Sequence, residues 1–304
     1  MTFSLTILGN SSAIPTSTRY TSAHVLNVHE RFFLIDCGEG TQMQLRRHKI
    51  KLGKINHIFI SHLHGDHTFG LFGLLSSYGI LNRTTDLHIY ASPDLERIIN
   101  NHLIAFGIFL PYKLVFHALD CSRSEKIYED DKMWVETIPL KHRIPTCGFL
   151  FKEKPKLKNI RKDVIEKYKI SIKEIIRIKE GTDFVTPEGQ VIRNEKLTFD
   201  PPKPRSFAYC VDTRYHGVIN TKERHVDLLY HEATYMQDLA DRAKETFHST
   251  SFQAATMAKK AKVGKLILGH FSPRYKNLDL LLDEARQVFK NTFIGEEGLT
   301  FSIE

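Results

Sequence analysis

No stretch of the 304 residues approaches the ~18–20 uninterrupted apolar residues that a membrane-spanning helix requires. The N-terminal residues alternate apolar Phe3, Leu5 and Ile7 with polar neighbours, which predicts a first β-strand and not a signal peptide. Without an export signal or a membrane span, we expect the protein to work in the cytoplasm and away from membranes.

Cysteine is scarce as well, with four residues that stand far apart and form no Cys-x-x-Cys pair. This spacing argues against a cysteine-rich zinc knuckle. In a reducing compartment, isolated cysteines are better explained as structural thiols than as disulfide partners. We therefore expect free thiols at all four positions, Cys37, Cys121, Cys147 and Cys210.

Acidic residues are outnumbered by basic ones, with 35 Asp and Glu against 43 Lys and Arg and a formal net charge of +8. A basic balance suits a polyanionic partner, but many basic proteins bind no nucleic acid. The position of the charge is more informative than its sum. Residues 152–179 contain 11 Lys or Arg and 4 Asp or Glu, so this one segment holds nearly all of the net charge.

The basic segment has two explanations. It is either a solvated helical insertion or an arm that grips RNA phosphates, where each Lys or Arg displaces condensed counterions. The concentration of charge favours the arm. We predict one domain over residues 1–304, with 152–204 inserted as this arm. Its candidate RNA-binding residues are Lys152, Lys154, Lys156, Lys158, Arg161 and Lys162.

Short apolar runs of strand length alternate with helical stretches along the rest of the chain, a pattern typical of an α/β fold. Among the predicted helices, residues 251–261 follow Ser249 and Thr250, each of which is a suitable N-cap. No internal repeat of solenoid length is visible.

The most specific feature is the sequence His-Leu-His-Gly-Asp-His at 62–67, which directly follows an apolar strand. Residues two apart in an extended segment point the same way, so His62 and His64 can bind one ion. We expect Gly65 to permit a sharp turn that directs the last two residues toward a second ion. Three imidazoles and a carboxylate within six residues match the ligand preferences of zinc.

The same arrangement recurs downstream, where a polar residue follows the end of an apolar strand. His142, Asp212 and His270 stand just past such strands, where open α/β sheets build their sites. A pair of zinc ions needs more side chains than one loop supplies. We assign His62, His64 and His142 to one ion, Asp66, His67 and His270 to the other, and Asp212 as the bridge between them.

At these residues the sequence resembles the metallo-β-lactamase superfamily, whose shared mark is the His-x-His-x-Asp-His loop. The resemblance implies a four-layer αβ/βα sandwich with a dinuclear site at one edge. Further motifs narrow it to the tRNase Z (ribonuclease Z) family: Tyr-Cys-Val-Asp-Thr-Arg at 209–214, His-Glu-Ala-Thr at 231–234 and His-Ser-Thr at 248–250. The sequence departs from the family pattern at Tyr20 and Phe72 and in an arm without the family's Gly-Pro-rich turn.

The tRNase Z resemblance implies a zinc-dependent endoribonuclease that removes the 3′ trailer of precursor tRNA. The products are a tRNA 3′-hydroxyl and a trailer with a 5′-phosphate. It implies metal binding by the seven ligands above, Asp66 as proton acceptor and His248 as proton donor. We expect Glu232 to orient His248, because a carboxylate partner keeps an imidazole charged near neutral pH. The resemblance also implies a homodimer in which the arm of one subunit serves the active site of the other.

Two other functions stay open. An enzyme of the same fold could act on a small phosphodiester, thioester or lactam, but a small neutral substrate needs neither the basic arm nor the His-Ser-Thr segment. A non-catalytic RNA-binding protein is the second, and the complete ligand set argues against it. Metal content separates them, since about two zinc ions per chain supports the enzyme and none supports the binding protein.

Overall fold

Two mixed β-sheets form the centre of the larger of two units, which comprises Met1–Lys152 and Arg205–Glu304. The computed structural model describes residues 1–216 and 225–304 of the chain. The strands of the first sheet are β1 Phe3–Gly9, β2 Ala23–Val28, β3 Arg31–Cys37, β4 Ile55–Phe59, β5 Leu87–Ala91, β6 Leu114–Ala118 and β18 Thr300–Ser302. Their spatial order is β18-β1-β2-β3-β4-β5-β6, and β3 to β6 run parallel.

The second sheet repeats this design with a parallel half and an antiparallel half. Its strands are β7 Lys126–Glu129, β8 Met133–Pro139, β9 Cys147–Glu153, β14 Ser206–Cys210, β15 Leu228–Glu232, β16 Lys265–Gly269 and β17 Thr292–Ile294. The order is β17-β16-β15-β14-β9-β8-β7, with β14 to β17 parallel. Parallel strands end at the same edge of a sheet, so the residues that follow them are brought together there.

Helices cover the outer faces of both sheets. Those of the larger unit are α1 Thr41–Arg47, α2 Gly65–Ile80, α3 Asp94–Ala105, α7 Ala240–Thr246, α8 Ser251–Ala261 and α9 Asp279–Val288, with short 3-10 turns at Leu52–Lys54 and Gln237–Leu239. The predicted helix 251–261 is confirmed as α8, and Thr250 caps it in a capping box with Gln253. Among the described residues, no helix is both long enough and apolar enough to cross a bilayer.

Apolar side chains alternate between the two faces of each strand and build three cores. In β1, Leu5 and Ile7 join the core between the sheets, whereas Leu8 joins the core under the helices. In β3, Phe33 joins the core between the sheets and Leu34 joins the core under the helices. A third core joins the second sheet to α8 and α9. The order helix, sheet, sheet, helix confirms the predicted α/β class and its four-layer αβ/βα sandwich.

The smaller unit, Glu153–Pro204, has a core of its own. Ser171 caps the helix Ile172–Lys179 in a capping box with Glu174. The core consists of Val164, Ile170, Ile178, Phe184, Ile192 and Leu197. The elements are β10 Asn159–Ile160, α4 Lys162–Tyr168, α5 Ile172–Lys179, β11 Phe184–Val185, β12 Val191–Ile192, α6 Asn194–Leu197 and β13 Thr198–Phe199.

The expectation of free thiols is wrong for one pair of cysteines. Cys121 and Cys147 form a disulfide, with their Cα atoms 4.9 Å apart. They are 26 positions apart in sequence, but β7 and β8 lie between them and return the chain to the start of β9. The spacing of the cysteines in the sequence therefore gives no indication that Cys121 and Cys147 are in contact. Cys37 and Cys210 are buried and form no disulfide, as expected.

Candidate dinuclear metal centre

The loop after β4 carries the first group of potential ligands. His62 is buried, and its Nε2 lies 2.9 Å from Nδ1 of His64. His142, just past β8, places its Nε2 3.3 Å from the same Nδ1. Together with Asp212, these side chains offer ligand atoms that all lie within 4.8 Å of one another. Four such residues suit one cation.

Asp66, His67 and His270 form a second group of the same kind. Nε2 of His270 lies 3.3 Å from Nε2 of His67 and 3.4 Å from Oδ2 of Asp66. Gly65 begins helix α2 and does not adopt a left-handed backbone, so the first helical turn directs Asp66 and His67. A Cβ at this position would lie 2.3 Å from the exposed ring of Phe69, which would have to move.

Asp212, just past β14, lies between the two groups. Its Oδ1 is 3.1 Å from Nε2 of His270 and 3.4 Å from Nε2 of His67. Its Oδ2 is 3.4 Å from Nε2 of His62 and 3.5 Å from Nε2 of His142. Oδ1 is also buried without a hydrogen-bond donor, which is costly unless a cation compensates it. Each carboxylate oxygen therefore faces one group, as a bridging ligand would.

The protonation states of the imidazoles suit cation binding. Burial lowers the pKa of His62, His64 and His142, that of His142 to about 4, so these rings are neutral and offer a lone pair. Burial acts in the same direction on His67, but three surrounding carboxylates overcome it and raise its pKa well above the ordinary value. The site thus concentrates negative charge where a divalent ion would neutralise it.

Asp36 is a functional residue that the sequence analysis missed. Its Oδ2 lies 2.7 Å from Nδ1 of His67 and accepts a hydrogen bond from the hydroxyl of Tyr209 at 2.8 Å. Ser61 donates to it from both its backbone N–H and its hydroxyl. These contacts orient His67 so that Nε2 faces the site. Asp36 also stands near the end of an apolar strand, β3, but it has no neighbouring histidine in the sequence that would indicate a metal site.

The partly exposed His248 and the buried Glu232 form a pair beside the ligand groups. The carboxylate of Glu232 also accepts hydrogen bonds from the N–H groups of Thr213 and Ser249 and from the hydroxyl of Thr234. Burial alone would lower the pKa of His248, but Glu232 overcomes that effect and raises it to about 9. The imidazole is therefore charged at neutral pH and can donate a proton.

Part of the site opens onto one cavity of about 620 Å³, which Asp66, His142, Asp212, His248 and His270 line. The backbone N–H of Ala13 donates to Oδ2 of Asp66 at 2.7 Å and holds that carboxylate at the cavity wall. A divalent cation, a proton acceptor and a proton donor could therefore meet one substrate in this space.

The predicted RNA-binding residues differ in how far they are available. Lys152, Lys156 and Lys162 are exposed. Lys158 pairs with Asp200 at 3.4 Å, and the guanidinium of Arg161 stacks 4.1 Å from the ring centre of Phe199. Lys154 is half-buried. The phosphate contacts expected of all six stay a prediction.

Comparison with known proteins agrees with this geometry. The chain covers 99% of human tRNase Z, short form, at 28% identity and a TM-score of 0.71, with 99% of its own length aligned. It covers 98% of the metallo-β-lactamase fold protein YhfI from Bacillus subtilis at a TM-score of 0.68 and 18% identity, with 99% of its own length aligned, a likeness of fold alone. The fold and the paired His/Asp groups therefore define a metal-binding hydrolase of the metallo-β-lactamase class.

Sequence similarity narrows the class to a family. The chain is 49% identical to the ribonuclease Z of Phocaeicola vulgatus over 302 residues, which are 99% of this chain and 98% of the relative. This chain belongs to the ribonuclease Z family. Residues 3–157 also match the family model described as anti-Pycsar protein Apyc1, which spans the 62–67 loop and His142 but ends before Asp212 and His270.

Proposed function

We propose that the protein is the endoribonuclease that removes the 3′ trailer of precursor tRNA in the cytoplasm. The observation that carries this proposal is the position of Asp212, with one oxygen toward each ligand group, beside the charged His248–Glu232 pair. A phosphodiester needs charge neutralisation, an activated water and a protonated leaving group, and one cavity offers residues for all three.

The donor set suits two zinc ions, since imidazole nitrogens and carboxylate oxygens are ligands that zinc prefers. His62, His64 and His142 would hold one ion, Asp66, His67 and His270 the other, and Asp212 both. When bound, such a pair lowers the pKa of water toward neutrality and neutralises the oxygens of the phosphodiester. Oδ1 of Asp212, which accepts no hydrogen bond from the described residues, and the neutral imidazole of His62 support this assignment.

Asp66 is the proton acceptor in this proposal. Its Oδ2 is held by Ala13 and lies near the imidazole of His270, which keeps the carboxylate at the cavity wall. In that position it can orient the attacking water and take its proton. Attack in line with the scissile bond then displaces the ribose 3′-oxygen of the tRNA.

His248 is the proton donor to that departing oxygen, and Glu232 keeps its imidazole charged and oriented. The phosphoryl group stays with the trailer. The products are a tRNA with a 3′-hydroxyl and a trailer with a 5′-phosphate.

Recognition of the tRNA body is assigned to residues 152–204. The charge of this segment supports binding to phosphates, and its exposed Lys156 and Lys162 are the first candidates for contact. We extend the proposal to a homodimer in which the arm of one subunit serves the active site of the other. The support for the homodimer is the family resemblance.

The test is cleavage of a labelled precursor tRNA by the purified protein, with the cut mapped to the nucleotide. We expect one cut at the 3′ end of the tRNA, none after treatment with chelator, and almost none with Asp66→Ala. Hydrolysis of a small phosphodiester without cleavage of the precursor would favour a small-molecule hydrolase. Binding of the precursor without cleavage or metal would favour the non-catalytic alternative.

A further inference from the structure

Phe69 is an exposed aromatic side chain at the catalytic cavity. Its side chain is 65% exposed, although it lines the same cavity as Asp66 and His248. Ile14, 58% exposed, lines the cavity too. Large apolar groups left open beside a strongly polar site are typical of a ligand-binding surface.

The ring of Phe69 lies against the loop that carries the ligands. A Cβ added at Gly65 would lie 2.3 Å from Cε2 and 2.5 Å from Cζ of the ring, so the ring packs on the backbone between His64 and Asp66. Phe69 also belongs to α2, the helix that begins at this loop. The aromatic surface therefore lies close to the reacting groups, where a flat ligand can stack on it.

Phe69 and His248 each line a further cavity beside the catalytic one. Phe69 also lines a second cavity of about 300 Å³, which contains Tyr20 and Met43. His248 also lines a third cavity of about 240 Å³, which contains Arg214 and Lys244. The second and third cavities share no residue with each other. We take the junctions of the catalytic cavity with these two cavities as the two ends of the substrate path.

The direction of the RNA follows from the proposed function, on which this inference rests. The ribose 3′-oxygen that departs belongs to the tRNA and must lie at its proton donor, His248. The tRNA side of the scissile bond then occupies the end near Arg214 and Lys244. The phosphoryl group remains on the trailer, so the first trailer nucleotide lies at the other end, beside Phe69.

We infer that Phe69 stacks on the base of the first trailer nucleotide and so binds the substrate on the side that is discarded. Stacking on an aromatic ring accepts any base, because every base has a π-face. It therefore suits an enzyme whose trailers differ in sequence. Ile14 extends the apolar surface at the same cavity.

The test compares two precursor tRNAs that differ only at the first trailer nucleotide, which carries a base in one and is abasic in the other. Both are cleaved by the wild-type protein, Phe69→Ala, Phe69→Trp and the matched control Phe109→Ala. Phe109 is also an exposed phenylalanine, at 86%, and is not among the residues lining the catalytic cavity. KM, kcat and the position of the cut are measured for each combination.

We expect wild-type protein, Phe69→Trp and Phe109→Ala to prefer the base-bearing substrate by about 5- to 150-fold, mainly in KM. Phe69→Ala should lose that preference and cleave the abasic substrate as the wild type does. Equal loss on both substrates, with or without a change in oligomeric mass, would overturn the inference and make Phe69 a structural or subunit contact. Equal cleavage of both substrates by the wild type would also overturn it. Failure of the wild type to cut either precursor would instead refute the proposed function.

Discussion

Nδ1 of His248 lies 3.1 Å from Oε1 and 3.2 Å from Oε2 of Glu232. Burial opposes the charged imidazole, but the carboxylate overcomes this effect and raises the pKa of His248 to about 9. A raised pKa means that the imidazolium persists below about pH 9 and is lost as the pH rises through that value. The proton donor is therefore available throughout the physiological range.

This pair predicts the alkaline limb of the pH–rate profile. The cleavage rate of precursor tRNA should fall as the pH rises through about 9, and Glu232→Gln should move that fall to lower pH because the charge that raises the pKa is gone. Rates at saturating substrate between pH 6 and 10 measure this.

His248→Ala is the matched control for the pH profile. This variant should cleave precursor tRNA about 10²–10⁴ times more slowly, and its rate should not fall at alkaline pH. A p-nitrophenyl phosphodiester, whose leaving group departs without a proton, should react almost normally. A rise in KM alone would make His248 a binding residue. If the rate of Glu232→Gln falls at the same alkaline pH as that of the wild type, the assigned pair of His248 and Glu232 is contradicted.

Removal of the basic arm should separate RNA recognition from chemistry. Lys152 and Ser206 are paired neighbours on β9 and β14, so residues 153–205 can be replaced by an Asn-Gly turn without breaking that register. We expect roughly 100-fold or greater loss on precursor tRNA, because the phosphate contacts are gone, and normal turnover of a small phosphodiester. Equal loss on both substrates would show that the segment is structural.

A milder change in the arm provides the control. Lys156→Gln and Lys162→Gln remove exposed charges without deleting any backbone. Each lost phosphate contact should reduce the slope of log affinity against log salt by about 0.7 to 0.9. A slope that stays unchanged in both variants would place the phosphate contacts elsewhere.

Asp36 is buried behind a proposed metal ligand, and we expect its replacement to weaken metal binding. Asp36→Asn keeps the shape of the side chain but removes the charge that faces Nδ1 of His67, so zinc affinity should fall about 10- to 100-fold. Competition with a metal-binding dye measures the affinity. Tyr209→Phe removes one hydrogen bond to the same carboxylate and should have a smaller effect. Unchanged affinity in Asp36→Asn would contradict the orienting role.

The disulfide predicts the number of reactive thiols. Denatured protein that has not been reduced should show two thiols per chain, Cys37 and Cys210, and reduction should raise the number to four. Thiol titration with a chromogenic disulfide measures this. Four thiols without reduction would restore the expectation drawn from cysteine spacing.

Local patterns in the sequence were sufficient for much of the fold and the site. Period-two alternation in strands such as β1 reports which face is buried, and strand ends reveal polar residues such as Asp212 and His270 because parallel strands share one edge. The structure brings these residues together with the 62–67 loop. Such features depend on a few consecutive positions, which is why they can be predicted from the sequence alone.

Contacts between distant segments were not predictable in the same way. The pairing of Ser4 with Ser302 joins the two ends of the chain, and the Cys121–Cys147 bond depends on how a hairpin folds back. Neither of these contacts leaves a period or a spacing in the sequence, since each arises from tertiary packing.

The most direct test of the dinuclear centre is to strip the protein with chelator and restore zinc stepwise while cleavage of precursor tRNA is followed. Seven side chains in two groups, bridged by Asp212, predict that activity rises to its maximum at two zinc ions per chain. They also predict that Asp212→Asn, which weakens zinc binding by both groups at once, needs a large excess of zinc to reach its maximum activity. Full activity of the stripped protein, or a maximum reached at one ion per chain, would contradict the account.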